Sequence, residues 1–141
     1  MPVIFACPGS GKSHFCKRSK IWQDQQNVMP ELHKAEWATR QHTKAEEKKH
    51  YQRIDRELAK KTKTHFIIGS LYWDFIPDAI VVIPDKLLRE RVAKRPADGP
   101  EAITYTAAKR VEADLKAKAR KHKVPVFDTF AAASRHVLFT Y

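Results

Sequence analysis

The chain has 141 residues, with 27 Lys and Arg against 16 Asp and Glu and a formal net charge of +11. That length predicts a single domain over 1–141, because a second would be too small to bury its own core. An apolar content of 43% excludes wholesale disorder, and the longest apolar run, Ala79-Ile80-Val81-Val82-Ile83, is far too short to cross a bilayer. Residues 1–6 have neither the basic start nor the full apolar stretch of a signal peptide, so the expectation is a soluble, cytoplasmic protein without a membrane partner. Cys7 and Cys16 make neither a disulfide framework nor a four-ligand zinc site, and read as free thiols in a reducing cytosol. The seven histidines are scattered, with His122 and His136 expected at the surface, and no metal site is built from side chains alone.

In chain order, Val3 to Ala6 is a short apolar run ended by Pro8-Gly9-Ser10-Gly11, which predicts a buried strand entering a glycine-rich turn. A helix is expected from about Lys12 to Ser19, and Ile21-Trp22 predicts a weak second strand. Met29-Pro30-Glu31 reads as a helix start, and from there to Lys63 the sequence predicts a long, polar, mostly helical region (about 28–63). Between Lys34 and Lys63 ten basic residues face five acidic ones, a mixture suited to a solvated helical face. Phe66-Ile67-Ile68-Gly69 and Ala79-Ile80-Val81-Val82-Ile83 predict fully buried parallel strands. Asp85 is expected to cap a helix running to Lys94, which Pro96-Ala97-Asp98-Gly99-Pro100 then breaks. A helix from about Glu101 to Lys121, a strand at Val124-Pro125-Val126-Phe127 and a helix from Ala131 to Leu138 complete the reading. Strands alternating with helices predict an α/β domain around a mostly parallel sheet.

The most specific feature is Ala6-Cys7-Pro8-Gly9-Ser10-Gly11-Lys12-Ser13. It matches the Walker A pattern, with Ala at the first position where Gly is commoner. Small residues let successive backbone N–H groups curl around a phosphate, and the following helix points its positive end at the same spot. Pro8, Gly9, Ser10, Gly11, Lys12 and Ser13 are therefore the expected nucleotide-binding residues. Lys12 is expected to reach the β- and γ-phosphates of ATP, and the Ser13 hydroxyl to sit on Mg2+.

With this loop following an apolar strand, the chain resembles the P-loop kinases, the superfamily of small nucleoside and nucleotide kinases. Asp78 to Arg95 is similar to their fourth strand and the helix leading to the lid, and the compact size is similar to the kinases of bacteriophages and other viruses. The resemblance implies a three-layer P-loop NTPase fold, a five-stranded parallel sheet of order 2-3-1-4-5 flanked by helices. It implies a lid near 95–103 and an acceptor side near 28–63. It also implies ATP-dependent transfer of the γ-phosphate to a nucleotide-type acceptor, with a nucleoside or deoxynucleoside monophosphate as the leading choice.

Arg91, Arg95 and Arg110 match, in order, the arginines of the family's lid region. Guanidinium groups there would stabilise charge spread over the transferring phosphoryl oxygens. Asp24 matches the acid that follows the family's second strand, although Gln26 stands where a second acid is often found. Two roles remain open for Asp24: general base for an alcohol acceptor, or holding Mg2+ through water beside a phosphate acceptor. A solvent-exposed turn is the plain alternative. The third strand ends in Gly69-Ser70 without a carboxylate, so the chain departs from the family's Walker B pattern, and neither Asp74 nor Asp85 is a firm substitute. Tyr72-Trp73 follows that strand, where one ring would stack on a base or pack in the core.

The positive charge predicts attraction to polyanions, from ATP alone to nucleic acid. Two other readings therefore stand beside the monophosphate kinase. One is a 5′-hydroxyl polynucleotide or nucleoside kinase, with Asp24 as base and the basic segment Lys34–Lys63 binding the strand. The other is a non-catalytic nucleic-acid-binding protein that senses nucleotide.

Overall fold

Val3–Ala6 (β1) is buried at all of its positions, as a strand in the middle of a parallel sheet requires. It pairs in parallel with Phe66–Gly69 (β3) on one side and Ala79–Val81 (β4) on the other, with Val3 opposite Ile67 and Ile4 opposite Ala79. Trp22–Asp24 (β2) pairs with β3, and Val126–Phe127 (β5) pairs with β4, both in parallel. In this computed structural model, which describes residues 1–33, 41–94 and 104–140, the five strands therefore run in the order 2-3-1-4-5. The fold is α/β, with the sheet flanked by helices, and the order is the one the resemblance implied.

Parallel strands need crossover connections rather than tight turns, and helices make most of them, while residues 70–78 carry the chain from β3 past β1 to β4 without a helix. Lys12–Arg18 (α1) links β1 to β2, and Gln25–Val28 (α2) begins directly at the end of β2. A 3-10 turn at Pro30–His33 follows, then Lys44–Lys61 (α3) leads to β3. Asp85–Ala93 (α4) and Tyr105–His122 (α5) join β4 to β5, and Phe130–Thr140 (α6) closes the fold. On α5 the buried positions Ala108, Glu112, Leu115 and Ala119 recur at helical spacing and form its inward stripe. Among the described residues no helix is long and apolar enough to cross a membrane.

The expected continuous helix between Met29 and Lys63 is corrected in part. Residues 41–43 are not helical, and α3 starts afresh with a capping box. The Thr43 hydroxyl accepts from the Glu46 N–H, while the Glu46 carboxylate accepts from the Thr43 N–H. A Thr followed three residues later by Glu is a start signal in its own right. Residues 34–40, with Trp37 and the first basic residues of that region, lie outside the described residues, as does the lid expected at 95–103.

Asp85 is not the cap of α4. Pro84 holds that place and makes no side-chain cap bond. The Asp85 carboxylate instead accepts from Arg89 Nε at 2.9 Å and from the Tyr105 hydroxyl, and lies 3.3 Å from Lys109 Nζ. These partners, the tyrosine hydroxyl foremost, hold its carboxyl below the usual aspartate range. A single carboxylate thus ties the first turns of α4 and α5 together.

Candidate phosphate-binding site

The loop between β1 and α1 turns on two glycines that no other residue could replace without strain. Gly9 has φ +88° and Gly11 has φ +93°, in the left-handed region. Space is short as well: a Cβ at Gly9 would lie 3.0 Å from Val92 Cγ2, and one at Gly11 would collide with the Arg91 guanidinium. Gly11 is also the N-cap of α1, so the positive end of that helix opens onto the loop. The Ser10 N–H donates to the Cys7 carbonyl at 3.2 Å, which closes the turn. Ser10 itself is fully buried, and its hydroxyl has no hydrogen-bond partner among the described residues.

Lys12 is the first residue of α1 and is buried to 9% exposure, unusual for a lysine. Two strands from β1 in the sheet order, Asp24 ends β2 and is 3% exposed. Its Oδ2 accepts from the Ser13 hydroxyl at 2.6 Å, and its Oδ1 accepts from the Gln26 N–H at 3.1 Å, capping α2. So Asp24 is a buried acid beside the loop, and the exposed-turn alternative does not describe it.

Arg91, on α4, reaches back over the loop, where Nη1 donates to the Ser10 carbonyl. Arg95 lies outside the described residues. Arg110 is exposed on α5, whereas its neighbour Lys109 turns inward, 2.8 Å from the buried Glu112 carboxylate. Lys116 pairs with the other Glu112 oxygen at 3.1 Å. The N–H groups of Asp74 and Trp73 donate to the Asp55 carboxylate at 2.6 and 2.8 Å.

Gln25 is a residue that sequence reasoning missed. It is 1% exposed, and its Oε1 accepts from the N–H groups of Ser70 and Leu71, both at 3.1 Å. Its Nε2 donates to the Leu71 carbonyl at 2.8 Å. The amide thus fills the end of β3, where a carboxylate would otherwise follow the strand. A polar residue straight after a candidate catalytic acid was the available signal.

Tyr72 packs rather than presenting a free face. Its ring stacks on Phe5 at 4.8 Å, and Lys118 Nζ lies 4.7 Å from its centroid. Burial pushes its hydroxyl up to about 12. Trp73 is 40% exposed. Cys7 and Cys16 are both buried and unpaired, as expected.

Among the described residues, two clefts open beside the loop. The larger, about 600 Å³, runs from Ser10 and Gly11 past Arg91 to Asp128 and Phe130, with Phe15 stacked on Phe130 at 5.4 Å. The second, about 460 Å³, lies between α1 and the β2–α2 segment and ends at Ser13 and Asp24. A third, about 430 Å³, lies beneath Tyr72 and is lined by Glu47, Asp114 and Lys118.

No protein-family model matches the chain, and no curated protein matches its sequence. Among solved structures, a chain of the Pnkp1/Rnl/Hen1 RNA repair complex is similar over 85% of this chain, with a TM-score of 0.50 and 16% identity. This chain spans 46% of that one. The likeness is one of fold.

Proposed function

We propose that the protein is an ATP-dependent phosphotransferase that holds the triphosphate in the 8–13 loop and passes its γ-phosphoryl group to a nucleotide-type acceptor. The observation that carries this reading is the Ser13–Asp24 hydrogen bond at 2.6 Å, set beside a loop with two positive-φ glycines. The loop's helix N-terminus and the buried Lys12 supply positive potential for phosphate. The orphaned Ser10 hydroxyl supplies a polar atom that a bound anion would satisfy. Arg91, which donates to the Ser10 carbonyl, adds a guanidinium at the loop that could turn to phosphoryl oxygens.

The Ser13 hydroxyl offers a hard oxygen donor, which suits Mg2+, and with a phosphate acceptor Asp24 would hold the ion through water. Among the described residues no group of three or more His, Cys, Asp or Glu comes together. That fits an ion held by one protein carboxylate or hydroxyl and mainly by the substrate phosphates, the usual mode for Mg2+. When bound, the ion would neutralise charge on the β- and γ-phosphate oxygens.

A second, finer reading takes the 5′-hydroxyl end of a nucleic acid as acceptor. Membership of the fold neighbour in an RNA repair complex favours it. So does a buried carboxylate at the loop, since an alcohol needs a base while an ionised phosphate does not. The test is transfer from γ-labelled ATP to a panel of nucleoside monophosphates, free nucleosides and a 5′-hydroxyl oligonucleotide, with Lys12→Ala and Ser13→Ala beside the wild type. Label that appears in one acceptor and is lost in folded variants supports the proposal and names the acceptor. ATP binding without transfer to any member overturns it in favour of a nucleotide sensor.

A further inference from the structure

Helix α1 divides the first two clefts, which both take lining residues from it. The larger cleft takes Gly11, His14, Phe15 and Arg18 from this segment. The second takes Ser13, Cys16 and Lys17, with Lys20 just beyond the helix end. Both sets have helical spacing, and they are offset by two residues, roughly 200° around the axis at about 100° per residue. The clefts therefore lie on opposite faces of one helix; each reaches its first turn, at Ser10 and Gly11 in one and at Ser13 in the other, and both take Ser19 at its C-cap. In-line phosphoryl transfer needs donor and acceptor to approach the same phosphorus from opposite sides.

The second cleft also has the chemistry of a strand end. Lys17 and Lys20 are exposed at its rim. Gln23, Gln26 and Asn27 line it with amides that both donate and accept. Its one lining carboxylate is the buried Asp24. The cleft beneath Tyr72 has the opposite balance, with Glu47 and Asp114 against Lys118. A polyanion would be repelled there and drawn to the α1 cleft.

We propose that this second cleft takes the 5′-hydroxyl end of a single-stranded nucleic acid. The terminal nucleoside sits among Gln23, Gln26 and Asn27, the following phosphates lie against Lys17 and Lys20, and the hydroxyl points to Asp24. This rests on the 5′-hydroxyl reading above. The 5′ oxygen forms a bond to the γ-phosphorus as the bond to the β–γ bridging oxygen breaks. The hydroxyl proton passes to the Asp24 carboxylate, and ADP leaves with the bonding electron pair.

The experiment compares wild type, Lys17→Ala/Lys20→Ala and Lys118→Ala, using γ-labelled ATP and a 5′-hydroxyl oligonucleotide, with oligonucleotide affinity measured across a salt series. The double variant should raise KM for the oligonucleotide about tenfold or more and leave KM for ATP unchanged. It should also reduce the slope of log affinity against log salt by about 1.4, at ~0.7 per neutralised phosphate on a single strand. An unchanged oligonucleotide KM and slope, or a larger effect from Lys118→Ala, overturns the assignment of this cleft. Label on monophosphates but never on the oligonucleotide overturns it too, while the phosphotransferase proposal stands. Failure of the wild type to bind ATP removes both.

Discussion

Gly69 ends β3 in direct contact with the side chain of Gln25, so closely that a Cβ at 69 would run into the Gln25 carboxamide. The amide cannot move aside, because its three hydrogen bonds hold it to Ser70 and Leu71. Gly69→Ala is expected to cost about 1–3 kcal/mol, the usual penalty for overpacking. Gln25→Ala strands three backbone groups and should cost about 2 kcal/mol or more. Because the two residues share one space, the double variant should lose less than the sum. Urea unfolding of the four proteins checks this, and additive losses would mean the contact is not what limits position 69.

Asp24→Asn keeps the shape of the side chain and removes its charge. With a 5′-hydroxyl acceptor, loss of the base should lower kcat by about 10²–10⁴ while ATP binding persists. With a monophosphate acceptor the same change should be milder. Steady-state kinetics on both acceptor classes, beside ATP titration, separates the outcomes.

Lys123 ends α5 in the left-handed conformation, φ 55° and ψ 41°, a position that favours glycine. Lys123→Gly should therefore stabilise the protein by about 0.5–1 kcal/mol, visible as a rise in Tm. A fall in Tm would show that the lysine side chain contributes more than its backbone strain costs.

Burial pushes the Cys7 thiol up to about 11, with the Glu112 carboxylate adding to the effect, and burial with Asp24 nearby pushes Cys16 up to about 12. The thiolate is the reactive form. Native protein at pH 8 should thus react slowly with a disulfide reagent, and both thiols should react at once in denaturant. Rapid modification of the native protein would contradict the buried placement.

Asp78 accepts the Val3 N–H at 2.8 Å, and burial raises its carboxyl above the usual aspartate range. A raised folded value means that folding favours the protonated acid. The stabilisation linked to this proton is full below the unfolded value near 3.8 and is lost as pH rises through the folded one. Asp78→Asn, which still offers an oxygen to Val3, should remove that part of the pH dependence and be neutral or stabilising near pH 7. Unfolding midpoints across acidic pH test the sign.

The sheet was legible because all-apolar runs such as Val3–Ala6 and Phe66–Ile68 have few other places to go than the middle of a parallel sheet. Their ends were less legible: Val82 and Ile83 are as apolar as Ala79–Val81, yet β4 stops before them. Nothing in the periodicity of Gln25-Gln26-Asn27-Val28 announced a helix, and an amide reads as surface until its backbone partners are known. Asp85 looked like a cap from its neighbours alone, but its partners Tyr105 and Lys109 come from another helix. Lys109 rather than Arg110 faces Glu112 because the phase of α5 is set by its buried stripe, and one residue turns a side chain by about 100°. The glycine loop, with its spacing written in the chain, was the most legible part of the candidate site.

The outer strands of the sheet, β2 and β5, are three and two residues long. A strand at an edge exposes unpaired N–H and C=O groups on which another chain can build, and very short edges leave little to build on. The apolar interior strands, the segments best suited to cross-β stacking, have neighbours on both sides. Short borders therefore leave another chain little to pair with, and lengthening β5 at its exposed Val126 would offer it more.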